Sequence, residues 1–100
     1  MRIDVSQRSD VFRVRLIDSL TFSDNTQFRG LIEDIKLAKV KDCIFDLAEL
    51  KMIDSSGLGM LMIAIEEGKK HNFTLSLINT SGPVKQLLQL SRLDKILKVA

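Results

Sequence analysis

The chain has 100 residues and a formal net charge of +2, with 45% hydrophobic and 28% charged residues, which is typical of one soluble globular domain. No apolar stretch reaches the ~18 residues of a spanning helix, and the N-terminus lacks the apolar core of a signal peptide. We therefore expect a cytoplasmic protein without membrane insertion. Interspersed charges and the absence of Trp and Tyr argue against a nucleic acid as partner.

The first third of the chain predicts a hairpin followed by a helix. Apolar and polar residues alternate on both sides of a turn at residues 8–10, as in two antiparallel strands. A loop over residues 18–22 leads into the helix, with Ser23 as its predicted N-cap and Asp24 suiting the positive first turn. The helical spacing places four apolar residues on the inner face: Phe28, Leu31, Ile32 and Ile35.

The middle of the chain predicts a buried strand and a second helix. Residues 43–47 form a nearly continuous apolar run, which is typical of a parallel strand covered on both faces. Within it, Cys43 is interpreted as a small buried hydrophobe and not as a redox or metal residue. A loop that includes Leu50 follows. The predicted inward face of the second helix consists of Leu58, Leu61, Met62 and Ile65.

The last third predicts another strand, a third helix and a short edge strand. Phe73, Leu75 and Leu77 alternate with polar residues, and Pro83 suits the first turn of a helix. The predicted inner face of this helix is Val84, Leu87, Leu88 and Ser91, and the chain closes with Leu93, Ile96, Leu97 and Val99. The order β-β-α-β-α-β-α with a short final strand indicates an α/β fold: a mixed sheet with parallel central strands and helices mainly on one face.

The stretch over residues 52–60 combines three features of a functional site. Ser55 and Ser56 fall where a helix leaves backbone N–H groups unpaired. The helix dipole adds positive charge there, so an attached phosphate would be stabilised. Gly57 and Gly59 carry no side chain, which would let a partner approach the backbone closely.

Plain N-capping of the second helix is the competing interpretation of the same residues. Asp54 followed by two serines is a common helix start. Each early glycine weakens a helix by about 0.8–1 kcal/mol relative to Ala, a cost that capping does not explain. Met60 and Ile63 also make the outer face apolar, which indicates either a covering element or a partner-binding patch. These residues alone leave the alternatives open.

The segment from Ile53 to Gly59 closely resembles the characteristic motif of the bacterial anti-sigma-factor antagonists, which are stand-alone STAS domains. The motif stands here in the strand–loop–helix context that this family shows. The resemblance extends over nearly the whole chain and is also carried by Thr26, by residues 83–85 and by residues 91–93. It implies that residues 1–100 form a single STAS domain.

The resemblance implies a phosphorylation switch. An unphosphorylated antagonist binds an anti-sigma factor, often itself a serine kinase of the histidine-kinase-like ATPase type, and so frees the sigma factor. The kinase phosphorylates the serine after the motif aspartate, here Ser55, and a PP2C-type phosphatase reverses the reaction. The chain would need no cofactor. The residues implied in partner binding are Thr21, Ser23, Asp54, Ser56, Gly57, Leu58, Gly59, Met60 and Ile63.

Other functions are also considered. The chain could be a constitutive STAS subunit of a transporter or signalling assembly, or a partner switch that controls secretion, biofilm or motility. A serine hydrolase would need a base beside its nucleophile, but the only histidine, His71, is separated from Ser56 by roughly 20 Å of helix. One Cys and one His cannot form a metal site, and no Walker loop supports nucleotide binding.

Overall fold

The structure is a computed structural model that describes residues 1–90 and the backbone of residues 98–99. The elements in chain order are β1 (Arg2–Arg8), β2 (Val11–Leu20), a short 3-10 helix (Phe22–Asp24), α1 (Asn25–Ala38), β3 (Asp42–Asp46), β4 (Leu50–Ile53), α2 (Ser55–His71), β5 (Thr74–Ile78), α3 (Gly82–Leu90) and β6 (Lys98–Val99). The predicted positions of Ser91, Leu93, Ile96 and Leu97 lie outside the described residues.

The strands form the predicted mixed sheet with parallel central strands. Their order is β1-β2-β3-β5-β6, with β1 antiparallel to β2 and all other pairs parallel. The short edge strand predicted at the end of the chain is confirmed as β6, which pairs with Ser76 and Leu77 of β5. The α/β prediction is therefore confirmed.

One face of the sheet and the helices enclose a single hydrophobic core. Val14, Phe45 and Leu77 point from adjacent strands toward this core, where Phe28 of α1 meets the Phe45 ring edge-on at 6.0 Å. The opposite face carries half-exposed arginines such as Arg13. The predicted inner face of α1 is confirmed as buried, as are Val84 and Leu88 of α3.

The predicted loop over residues 18–22 is too long, and a strand was missed. Strand β2 continues to Leu20 by changing partner: a register shift between Asp18 and Ser19 lets its last residues pair with β4. Leu50, predicted to lie in a loop, begins β4. This strand has only four residues, of which the first and last are buried, so it shows no readable alternation.

The start of α1 also differs from the prediction. Ser23 is exposed within the 3-10 helix, and Asp24 occupies the N-cap position of α1. The buried Asp24 carboxylate accepts hydrogen bonds from the Thr21 amide and the Met1 amino group, each at 2.8 Å. Burial alone would raise the pKa of Asp24, but these contacts lower it below its ordinary value. These contacts hold the 3-10 helix and its N-cap Thr21, which we together call the 3-10 turn, against the body of the domain.

The buried face of α2 is rotated from the predicted one. Met60, Leu61 and Ala64 are buried with Gly68, whereas Met62, predicted to point inward, is 48% exposed. The rotation follows from the glycines, since α2 approaches its neighbours most closely along the side that carries Gly57 and Gly68. The interpretation of Cys43 as a buried hydrophobe agrees with the structure, because burial raises the pKa of its thiol to about 12.

Candidate functional site: the start of helix α2

The start of α2 is fixed by Asp54, which follows directly after β4. One oxygen of the Asp54 carboxylate accepts a hydrogen bond from the Gly57 amide at 2.7 Å, which caps the helix. The other oxygen accepts from the Phe22 amide at 3.4 Å. Because both oxygens are used in this way, Asp54 links the 3-10 turn to the first turn of α2.

Gly57 lets the first turn of α2 lie against the end of β2. A Cβ at this position would come 2.3 Å from the carbonyl oxygen of Leu20, which also accepts the Asp54 amide at 3.3 Å. Gly57 was predicted to let a partner approach the backbone. The structure leaves no space for a partner at Gly57, because this chain's own backbone fills the position where a side chain would be. Gly59 differs, because a Cβ there would meet nothing within 4 Å.

Ser55 is exposed as the first residue of α2. Its hydroxyl has no hydrogen-bond partner among the residues that the structure describes. Ser56 is half-buried beside it. The unpaired N–H groups of the first turn and the helix dipole make the surroundings of Ser55 favourable for negative charge. Of the two serines, Ser55 offers the more accessible hydroxyl.

Exposed apolar side chains lie on α2 and on the elements that precede it, β4 and the 3-10 helix. Phe22 is 69% exposed, Met52 53% and Ile63 45%, and Met62 lies one residue before Ile63 on the outer side of α2. Phe22, Met52 and Met62 were not predicted as site residues; an aromatic residue within a polar loop was the only sequence signal for Phe22. Met60, which was predicted to contact a partner on the outer face of α2, is instead only 5% exposed and packs in the core.

We call these exposed apolar residues and their exposed or half-buried neighbours the docking surface. It consists of Thr21, Phe22, Ser23, Met52, Asp54, Ser55, Ser56, Leu58, Gly59, Met62 and Ile63. The 3-10 turn contributes the first three, and the contact of Asp54 with the Phe22 amide joins them to α2. Thr21 and Ser23 are held together through their hydroxyl oxygens at 3.1 Å.

A second polar group, which we call the Asp46 cluster, lies at the end of β3 and buries the Asp46 carboxylate beneath two half-exposed arginines. Asp46 is 1% exposed and accepts hydrogen bonds from the Ala48 amide and Asn79 at 3.0 Å and from Arg13 and Arg15 at 3.3 Å. Burial alone would raise the pKa of Asp46, but the four donors together lower it to about 2. The cluster fixes the loop that leads into β4.

Residues 1–90 and 98–99 contain no group of three His, Cys, Asp or Glu placed to hold a metal ion, and none of their helices is long and apolar enough to span a membrane. His71 is the last residue of α2, far from Ser55 along the helix, and pairs with Glu67 at 3.2 Å.

Comparisons with known proteins agree with this architecture. The STAS domain family model matches residues 2–100. The chain is 28% identical over 79 residues to a STAS-domain containing protein of Pseudomonas aeruginosa, an alignment that covers 79% of this chain and 77% of that protein.

Two solved structures share the fold. An anti-sigma factor antagonist from Mycobacterium paratuberculosis has a TM-score of 0.81 at 20% identity, with 98% of this chain and 83% of that one covered. The phosphorylated form of the Bacillus cell fate determinant SpoIIAA has a TM-score of 0.75 at 22% identity, with 99% and 91% covered. The chain belongs to the STAS domain family.

Proposed function

We propose that this chain is an anti-sigma-factor antagonist switched by phosphorylation of Ser55. The unphosphorylated form binds an anti-sigma factor through the docking surface, and phosphorylation releases that partner. The observation that carries the proposal is the exposed Ser55 hydroxyl, without a bonding partner in the described structure, at the start of a helix and beside exposed apolar side chains.

The switch follows from the charge that phosphorylation adds. A phosphoserine carries roughly −1.5 to −2 charges, which the start of α2 tolerates through its unpaired N–H groups and dipole. A partner packed over Ser55 and Phe22 would instead have to desolvate this charge beside the Asp54 carboxylate. Binding is therefore lost while the fold remains.

The partner and the modifying enzymes form the second part of the proposal. We assign the kinase role to the anti-sigma factor itself, of the histidine-kinase-like ATPase type, and the reverse reaction to a PP2C-type phosphatase. ATP then belongs to the kinase, and the switch operates in the cytoplasm without a cofactor on this chain. The structural relative SpoIIAA, solved in a phosphorylated form, supports a phosphorylated state for this fold.

The contact residues are refined by burial. Gly57 drops out of the proposed contact set because it is buried inside the domain, and Met60, at 5% exposed, offers a partner only a small edge of its side chain. Gly59 stays in it, since its open side lets a partner backbone approach. Asp54 acts mainly by positioning, because its two oxygens already hold the 3-10 turn and the helix start together.

The proposal is tested by capture from a lysate of the native cells. Immobilised Ser55→Ala protein should retain a kinase-type anti-sigma factor that mass spectrometry identifies. Ser55→Asp should retain at least about tenfold less, because its charge mimics part of a phosphate. Ser6→Asp, an exposed serine of β1 outside the docking surface, is the matched charge control and should bind like the unmodified chain.

Two results of the capture would contradict the proposal. Equal capture by Ser55→Ala and Ser55→Asp, with both folded by circular dichroism, would show that charge at this position does not control binding. If the captured partner acts in secretion, biofilm formation or motility, the phosphorylation switch would stand, but the claim that this chain regulates a sigma factor would be contradicted.

A further inference from the structure

A groove between α1 and α2 continues the docking surface along the helix. It has a volume of about 280 Å³ and a floor of buried apolar side chains, Phe28, Ile32 and Met60. Ile63 forms part of its wall and is 45% exposed. Arg29 of α1 lies on the rim and is exposed. The groove thus combines an apolar floor with a charged edge.

The charged residues that line the groove are Arg29 and two carboxylates, Glu33 and Glu67, and they differ in whether they are paired within the described chain. Lys36 bridges Glu33 at 2.9 Å and Glu67 at 3.3 Å, and His71 also contacts Glu67. Arg29 has no ion pair or hydrogen bond to any residue that the structure describes. A carboxylate brought to the groove by a partner would therefore meet an unpaired guanidinium at Arg29.

The groove lies on the same side of α2 as the proposed switch. Ser55, Gly59 and Ile63 follow at intervals of four residues, so each is the surface neighbour of the next along the helix. Ile63 is eight residues after Ser55, which corresponds to about 12 Å along the helix axis. That distance exceeds the Debye length of ~8 Å at physiological ionic strength, so a phosphate on Ser55 is largely screened from the groove.

We infer that this groove receives an apolar side chain from an acidic amphipathic segment of the partner, with a carboxylate of that segment pairing with Arg29. The inference rests on the proposed function, because the same partner would cover the docking surface. An apolar anchor in a groove with an arginine–carboxylate pair beside it is a common mode of helix recognition. The groove then contributes partner specificity, whereas Ser55 controls release.

The test uses a phage-displayed library of helix-forming peptides as the probe, panned against the full chain carrying Ser55→Ala. The enriched peptides should share an apolar residue with Asp or Glu within one helical turn. Titration of the most enriched synthetic peptide should show binding weakened about fivefold by Arg29→Glu. Ile63→Gln should weaken it further, and Lys85→Glu, the matched charge control on α3, should leave it within about twofold.

Charge exchange makes the assignment specific. A peptide in which Lys replaces the acidic residue should bind the Arg29→Glu chain better than the parent chain. Failure to enrich acidic peptides, or binding that is equal for Arg29→Glu and Lys85→Glu, would overturn the inference. Both variants change exposed side chains, and circular dichroism should confirm that each remains folded.

The outcome is separable from that of the proposed function. Ser55→Asp should leave peptide binding within about twofold while it lowers capture of the native partner at least about tenfold. If the peptide results are as expected but Ser55→Asp does not change capture of the partner, the inference about the groove is supported and the phosphorylation switch is contradicted. If capture depends on Ser55 but not on Arg29, the switch stands and the groove fails.

Discussion

Two regions at the same edge of the sheet contain similar residues and differ in what those residues contact. The inner region contains Gly57 packed on Leu20 and Asp46 with four donors. The outer region, the docking surface, contains Gly59 in open space and Asp54, which leaves the neighbouring Ser55 free. Glycine and aspartate thus hold the fold in one region and shape an accessible surface in the other. Substitutions in the inner region should change stability, and those in the outer region should change binding.

The two glycines of α2 should give the largest contrast. Gly57→Ala places a methyl group against the Leu20 carbonyl oxygen, so we expect a loss of about 3 kcal/mol of unfolding free energy. Gly59→Ala should gain up to about 1 kcal/mol, because alanine favours the helix and meets nothing. Urea denaturation of both variants measures the difference. Equal stabilities of the two variants would show that a methyl group fits between position 57 and the Leu20 carbonyl oxygen.

Gly59→Ala should also weaken capture of the partner despite its greater stability. A stabilised variant that binds normally would remove Gly59 from the docking surface.

The two aspartates give the next contrast, through pH. The pKa of Asp46 is lowered to about 2, so its contribution is complete above about pH 4 and is lost as the pH falls toward 2. Asp46→Asn should cost about 2 kcal/mol at pH 7 and flatten the pH dependence of stability in that acidic window. Asp42→Asn, in the same strand but exposed, is the control. An unchanged acid profile for Asp46→Asn would contradict the role of the cluster.

Asp54 should behave as a cap with a smaller effect. Asp54→Ala removes the acceptor for the Gly57 amide and should cost about 1 kcal/mol. Asp54→Asn should retain most of that stability, because asparagine caps helices about as well as aspartate. Thermal unfolding distinguishes the two variants. A large loss for Asp54→Asn would show that the charge, rather than the cap, holds the helix start.

The smallest effect on stability is expected at Ser55 itself. Ser55→Asp places a negative charge at the helix start, which favours it by about 0.3–1 kcal/mol, and this is partly offset by repulsion from Asp54. We expect unfolding free energies within about 0.5 kcal/mol of the parent chain. Unfolding by Ser55→Asp would make Ser55 a structural residue and remove the basis of the switch.

The sequence predicted the fold well where local patterns are long. Apolar alternation and helical spacing correctly predicted the hairpin, the central strands and the inner face of α1. Strand β4 was not predicted because it has only four residues. Its pairing also depends on a register shift in β2 that no local sequence pattern reveals. The site prediction located the motif but not the orientation of α2. Met60 and Met62 exchange their predicted faces because the rotation of the helix is set by close contacts of Gly57 with Leu20, far away in sequence, and of Gly68 with Phe73 beyond the helix end.

The most direct test of the account is phosphosite mapping of the protein purified from its native cells, with intact mass measured before and after phosphatase treatment. The account predicts a removable phosphate on Ser55, present under some growth or stress conditions and absent under others. Protein that stays unmodified under every condition, or carries phosphate only on Ser56, would contradict the switch and favour a constitutive STAS subunit of a larger assembly.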